Sequence, residues 1–171
     1  MAPLIRSLVY ATVFIGVLLI WVPRSLLEWS GALTPPDVSV AQIAGLMLSA
    51  AGGCLIAWCV GSFAFIGRGT PAPFDAPRRL VIRGPYRFVR NPMYIGAVLV
   101  LIGAASFYES AVLLGYAVFF LLAVHLFVRF YEEPTLRRSF GQAYDRYCVE
   151  VRRWLPRRPW SVSSRGEDPI R

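Results

Sequence analysis

Four stretches of the chain are apolar and almost free of charge, roughly 8–22, 43–66, 92–108 and 110–128. A bilayer core about 30 Å thick takes about 20 helical residues, with about 17–25 the usual range. The second and fourth stretches meet that length directly. The first and third are shorter, and flanking aromatics and snorkelling arginines complete them. The pattern predicts an all-α fold: an integral-membrane bundle of about four transmembrane helices, with a long loop between the second and third. Only a few residues around 107–109 separate the last two stretches, which predicts a tight antiparallel hairpin. Along the second stretch Gly45, Ser49, Gly53, Ala57 and Gly61 recur every four positions, a small-residue face for close helix packing.

Beyond the fourth stretch the periodicity changes. Leu136, Phe140, Tyr144, Tyr147, Val151 and Leu155 recur every three or four residues, with Arg137, Arg138, Arg146, Arg152 and Arg153 filling much of the rest. That predicts a C-terminal amphipathic helix lying in the interface, anchored by Trp154. From Pro156 on, Pro, Arg, Ser and Gly dominate. The expected organisation is one membrane-embedded domain over 1–156 and a disordered tail over 157–171.

Charge fixes an orientation for this pattern. All 18 basic residues are arginine, against 10 acidic residues, for a net charge of +8. The first inter-span loop holds Arg24 alone, and the third holds none. With four spans, 17 arginines fall on the side shared by the N-terminus, the second loop and the C-terminal part. The positive-inside rule then places both termini in the cytoplasm, as for a bacterial inner-membrane protein. Residues 8–22 behind Arg6 also have the outline of a signal peptide, but no small-x-small cleavage site comes after them. Topology accounts for the arginines without a nucleic-acid partner, and no nucleic-acid motif accompanies them.

Composition agrees: 56% of residues are hydrophobic and only 16% charged, which moves the chain away from soluble domains. Cys54, Cys59 and Cys148 have no metal-ligand spacing, and His125 is the single histidine, so no zinc site is expected. The second loop is too rich in Arg and aromatics to be a bare connector. Leu80, Val81, Ile82, Tyr86, Phe88 and Val89 should pack over the arginine-rich end of the bundle.

The chemistry-bearing residues gather at that same end. On a regular helix His125, Arg129 and Glu132 share a face, with Glu133 on its edge. Charged groups at the end of a span are costly unless paired or hydrated, so they default to a functional reading. Two adjacent carboxylates there call for cations or polar partners. Pro134 comes next and removes a helical hydrogen bond, which predicts a bend and a cavity under the acidic pair. Arg90-Asn91-Pro92-Met93-Tyr94 opens the third span, with Asn91 as N-cap and Pro92 in the first turn.

Three blocks, Gly84-Pro-Tyr-Arg-Phe-Val-Arg-Asn-Pro-Met-Tyr-Ile-Gly96, Arg129-Phe-Tyr-Glu-Glu-Pro-Thr-Leu136 and Phe140-Gly-Gln-Ala-Tyr144-Asp-Arg-Tyr147, resemble the isoprenylcysteine carboxyl methyltransferase and phospholipid methyltransferase superfamily. The likeness runs from about 78 to 156. It implies an integral-membrane methyltransferase whose cofactor is S-adenosylmethionine, enclosed on the cytoplasmic side by the loop and the hairpin. Carried over by motif, Leu80 and Val81 approach the cofactor, and Tyr86, Asn91, Pro92 and Tyr94 line its pocket. Glu132 and Glu133 hold its polar parts, and Arg129 faces the methyl acceptor. Prenylcysteine enzymes usually have His where Asn91 stands, which puts a prenylcysteine-specific assignment in doubt.

The implied partners are the bilayer and a lipophilic acceptor: a prenylcysteine-like carboxylate, a phospholipid amine or another hydrophobic molecule. A carboxylate or thiolate acceptor needs no strong base, whereas an amine must lose a proton, to Glu133 or to water. Two other readings stand beside this one. A sterol-reductase-like enzyme would use NADPH, with the arginine-rich loop serving its phosphates. A four-helix scaffold would bind no cofactor.

Overall fold

The computed structural model describes residues 13, 15–35, 38–62, 80 and 82–156. Val81, most of the second loop and the tail over 157–171 lie outside the described residues. All regular structure among the described residues is helical. Helix α1 (Val22–Ser30) continues a π-helical turn, Gly16–Trp21. Helix α2 is Val40–Ser62. A 3-10 turn, Gly84–Arg87, leads into α3 (Pro92–Phe107). Helix α4 (Ala111–Phe127) passes through a second π-turn, Val128–Glu132, into α5 (Glu133–Phe140), and α6 is Gln142–Glu150.

Among the described residues two helices have the length and apolarity to cross a membrane: α2 with 23 residues, and the unbroken 30-residue run Ala111–Phe140. Most side chains on these two face outward, among them Leu46, Met47, Leu114, Val118, Phe119, Leu122 and Leu126. So much exposed hydrocarbon suits lipid rather than water. Helix α3 is apolar but has 16 residues, about 24 Å of rise, short of a full core thickness on its own.

Local chemistry sets the helix ends. Gly31, at φ +70°, closes α1: its N–H donates to the Glu28 carbonyl, and the Ala32 N–H donates to the Leu27 carbonyl. That double link is a Schellman cap. Ser39-Val-Ala-Gln42 forms a capping box at the start of α2. The Ser39 hydroxyl accepts from the Ala41 N–H, and the Gln42 side-chain oxygen accepts from the Ser39 N–H. The Gln42 amide also donates to Glu109 across 3.3 Å, which ties the α3–α4 turn to α2. Glu109 takes φ +48° there, so the expected short hairpin is present. Ser110 caps α4 by accepting from the Leu113 N–H.

Helices α2 and α3 make the closest contact. The buried positions of α2 are Gln42, Gly45, Gly52, Ile56, Cys59 and Ser62, with half-buried Ser49 between them. Those steps of three and four form a heptad seam, the geometry of two nearly antiparallel helices. A Cβ on Gly45 would stand 2.6 Å from the Gly103 carbonyl, and one on Gly52 would stand 2.5 Å from that of Gly96. The four-residue stripe expected from sequence therefore holds at Gly45 and Ser49 and then departs. Gly53 and Gly61 face open space, because a strict step of four drifts round a helix of 3.6 residues per turn.

Both π-turns stand just before a proline, Pro23 and Pro134. The ring clashes with the preceding turn, and widening that turn relieves the clash. In π register the Leu18 carbonyl would need an N–H from Pro23, which has none. The Tyr116 hydroxyl donates to it instead, at 3.0 Å. The expected single amphipathic helix over 136–155 is broken at Gly141, φ +52°. Its apolar face is covered by protein. Tyr144, Tyr147 and Val151 are buried with Ile82, flanked by Leu80, Leu136 and Phe140, so the end of the second loop packs on α6 as expected. Leu155 is exposed.

Candidate functional site

The start of α3, the end of α4 and the segment after α6 converge on Glu133. Its carboxylate is buried and takes two parallel bonds from Arg153, Nε to Oε1 at 2.7 Å and Nη2 to Oε2 at 2.8 Å. Arg90 Nη2 stands 3.3 Å from the same Oε1. Charge-assisted fork pairing of this kind is the strongest hydrogen bonding available to a carboxylate. Arg90 also reaches Cys148 Sγ, while its Nε is buried without a partner among the described residues.

Residues 152–154 bind this centre from four directions. The Arg90 N–H donates to the Arg152 carbonyl at 2.9 Å, and the Asn91 amide donates to the Arg153 carbonyl at 3.3 Å. The Arg153 side chain holds Glu133. The Trp154 indole N–H donates to His125 Nδ1 at 3.1 Å, and the two rings stack. Three consecutive residues thus clasp both arms of the α3–α4 hairpin.

A second polar group lies beside it. The Tyr94 hydroxyl donates to Glu132 Oε2 at 3.1 Å. No cation pairs with Glu132 among the described residues. Tyr86, on the 3-10 turn, meets the fully buried Cys59 thiol of α2 through its phenol. Burial, with Cys59 and Glu132 nearby, pushes that phenol well above its ordinary pKa. The Tyr86 carbonyl accepts from the Tyr147 hydroxyl at 2.7 Å, which fixes the turn on α6. Gly84, at φ +58°, lets the turn approach α2: a Cβ there would stand 2.7 Å from Ser62 Oγ. Helix α2 thus helps to frame a group that the motif blocks alone place on the loop and hairpin.

The sequence-derived residues separate into distinct environments. Glu132, Tyr94 and Tyr86 form one polar group, while Glu133 and Asn91 belong to the arginine clasp. Pro92 is fully buried in the first turn of α3. Leu80 packs in the apolar cluster with Tyr144 and Tyr147. Asn91 makes no side-chain cap and donates to Arg153 instead. The shared face of His125, Arg129 and Glu132 is not maintained, because the π-turn at 128–132 adds a residue to the turn and rotates the helix beyond it. His125 pairs with Trp154, and Arg129 is exposed with its guanidinium over Phe130. No ion pair joins Arg129 to either glutamate among the described residues. Sequence reasoning missed Arg153 and took Trp154 for a membrane anchor. The signal for Arg153 was the demand of two adjacent carboxylates for cations, set beside the Arg152-Arg153 pair.

A family model of the phospholipid methyltransferases matches residues 40–143. The match takes in α2, both arms of the hairpin, the π-turn and the paired glutamates, and it stops short of the clasp at 152–154. No curated protein and no solved structure matches the chain. With more than half of the sequence matched, including Tyr86, Tyr94, Glu132 and Glu133, the chain belongs to the phospholipid methyltransferase family.

Proposed function

We propose that this membrane methyltransferase uses S-adenosylmethionine and methylates a lipophilic acceptor reaching it from the bilayer, with Glu132, Tyr94 and Tyr86 as the polar face toward the cofactor. Membership of the family supports methyl transfer in a membrane. The observation that carries the finer reading is Glu132: a half-buried carboxylate held by a phenol and left without a cation among the described residues. Its chemistry suits ribose hydroxyls or an ammonium, both of which donate to a carboxylate. Glu133 takes a supporting role, because Arg153 and Arg90 already engage its oxygens and keep the helix end in place. Asn91 and Pro92 fix the start of α3, so that Tyr94 projects one turn later. Leu80 anchors the end of the loop on Tyr144 and Tyr147, and Arg129 stays available to the acceptor.

When bound, the cofactor supplies an electrophilic methyl on a sulfonium. The protein's part is alignment and exclusion of water. An amine acceptor gives up one proton, and Glu132 or water takes it. In this reading the chain crosses the membrane four times, with both termini and the site in the cytoplasm.

The test is calorimetric titration of the purified full chain with S-adenosylmethionine. Saturable binding is expected, with NADPH failing to displace it. Glu132→Gln should weaken it by about tenfold, the loss of one charge-assisted bond. Binding that is undiminished in Glu132→Gln removes the assignment, and displacement by NADPH turns the reading to a reductase.

A further inference from the structure

The two cysteines of α2 sit in opposite surroundings. Cys54 is exposed, and in a membrane helix such a thiol serves as a small apolar group. Cys59 has no exposed surface and stands on the buried face of the helix, between Ile56 and Ser62. Toward the arginine-rich end, that face changes from hydrocarbon to thiol to hydroxyl. Ile56 joins the apolar core, Cys59 meets the Tyr86 phenol through a side-chain hydrogen bond, and Ser62 stands against Gly84. A filler needs no polar neighbour, and this thiol has one.

The backbone around Tyr86 is pinned from two sides. Gly84 rests on Ser62 of α2, and the Tyr86 carbonyl accepts from the Tyr147 hydroxyl of α6 at 2.7 Å. These contacts place the ring and leave the direction of its hydroxyl proton open. Between a phenol and a thiol the O–H is the stronger donor, so the Tyr86 proton goes to Cys59 Sγ. A phenol has one proton. Committed to Cys59, it is withheld from Glu132, which lies near enough for its charge to act on the phenol. Glu132 accepts from the Tyr94 hydroxyl and keeps its remaining lone pairs for the donors of a ligand.

We infer that Cys59 is a positioning residue of this site: it fixes the Tyr86 hydroxyl and so preserves the acceptor capacity of Glu132 toward the cofactor. The inference rests on the reading of Glu132 as the carboxylate that meets the cofactor, and it adds a residue from α2, outside the three motif blocks. Without the thiol, the Tyr86 proton is free to compete for Glu132.

The experiment is a double-mutant cycle on S-adenosylmethionine affinity, read by calorimetry on the full chain in detergent. Cys59→Ala and, independently, Cys59→Val remove the acceptor, and each should weaken binding about fivefold, the scale of one neutral hydrogen bond. Cys59→Ser keeps an acceptor for the phenol and should retain most of the affinity. Tyr86→Phe has no proton to direct, so adding Cys59→Ala to it should change nothing further. Cys54→Ala should bind as the unsubstituted chain does. A packing role gives a different pattern: Cys59→Ala then costs the same with and without Tyr86→Phe, and that additivity overturns the inference. Undiminished binding in Cys59→Ala and Cys59→Val overturns it too, as does a Cys59→Ser chain no better than Cys59→Ala. Absence of saturable binding to the unsubstituted chain removes the cofactor reading itself, and the inference with it.

Discussion

Glu132 and Glu133 are adjacent and chemically identical, yet the fold gives them opposite tasks. Glu133 is buried between two arginines, and Glu132 is held by one phenol. Removing one member of a buried ion cluster leaves the others charged and unpaired, at a cost of about 3–5 kcal/mol. Glu133→Gln should therefore lower the thermal midpoint of the detergent-solubilised protein markedly, and Arg153→Lys should lower it less, by losing the fork but keeping the charge. Glu132→Gln should leave the midpoint nearly unchanged and act on cofactor binding. Equal midpoints for the two glutamine variants would refute this division of labour. The sequence marks both glutamates as candidates, but their difference depends on Arg153, twenty positions away, across a helix break that periodicity did not reveal. Arg129 shows the same limit. Its shared face with Glu132 rests on 3.6 residues per turn, and the π-turn cancels that inference.

The helices show what periodicity can resolve and what it cannot. Hydrophobic runs located α2, α3 and α4 to within a few residues, because a bilayer demands length and apolarity together. The packing seam was legible only in part: small residues occur on more than one face of α2, and only the partner helix decides which of them touch. Gly52 meets the α3 backbone and Gly53 meets nothing. Gly52→Ala should destabilise through backbone collision, by the usual overpacking cost of about 1–3 kcal/mol or more. Gly53→Ala should be neutral or stabilising by up to about 1 kcal/mol from helix propensity. Unfolding in mixed detergents would rank them, and similar losses for both would contradict the seam. The second π-turn makes a different claim. Proline inside a helix costs about 3 kcal/mol, so Pro134→Ala should stabilise the chain. With Glu133 still held by Arg153 and Arg90, it should also tighten the turn before Glu133, shift Glu132 away from Tyr94, and reduce methyl transfer. A variant both more stable and fully active would mean that the π-turn plays no part in aligning the site.

At the scale of the molecule, the arginine asymmetry and the tertiary contacts point the same way. Arg24 and Glu28 pair on α1, near the Leu27 cluster that contains Ala105 and Leu113 beside the α3–α4 turn. Arg90, Arg137 and Arg153 gather at the opposite end of that hairpin with Glu133 and Asp145. A chain with 17 of its 18 arginines in segments that four spans put on one side is held in one orientation by the positive-inside rule, so long as it crosses an even number of times between its termini. Helix α3 is the weak point of that count, since 16 residues span a core only with help from the 3-10 turn and Tyr108. Cysteine accessibility decides the matter. In a chain with Cys54, Cys59 and Cys148 replaced, Val38→Cys and Arg138→Cys each put one exposed thiol at opposite ends of the hairpin. A membrane-impermeant maleimide added to intact cells should label the first and spare the second, and permeabilisation should expose both. Labelling of both positions from outside would show that α3 re-enters rather than crosses. The glutamate pair would then face the wrong compartment for a cytosolic cofactor, whatever its geometry.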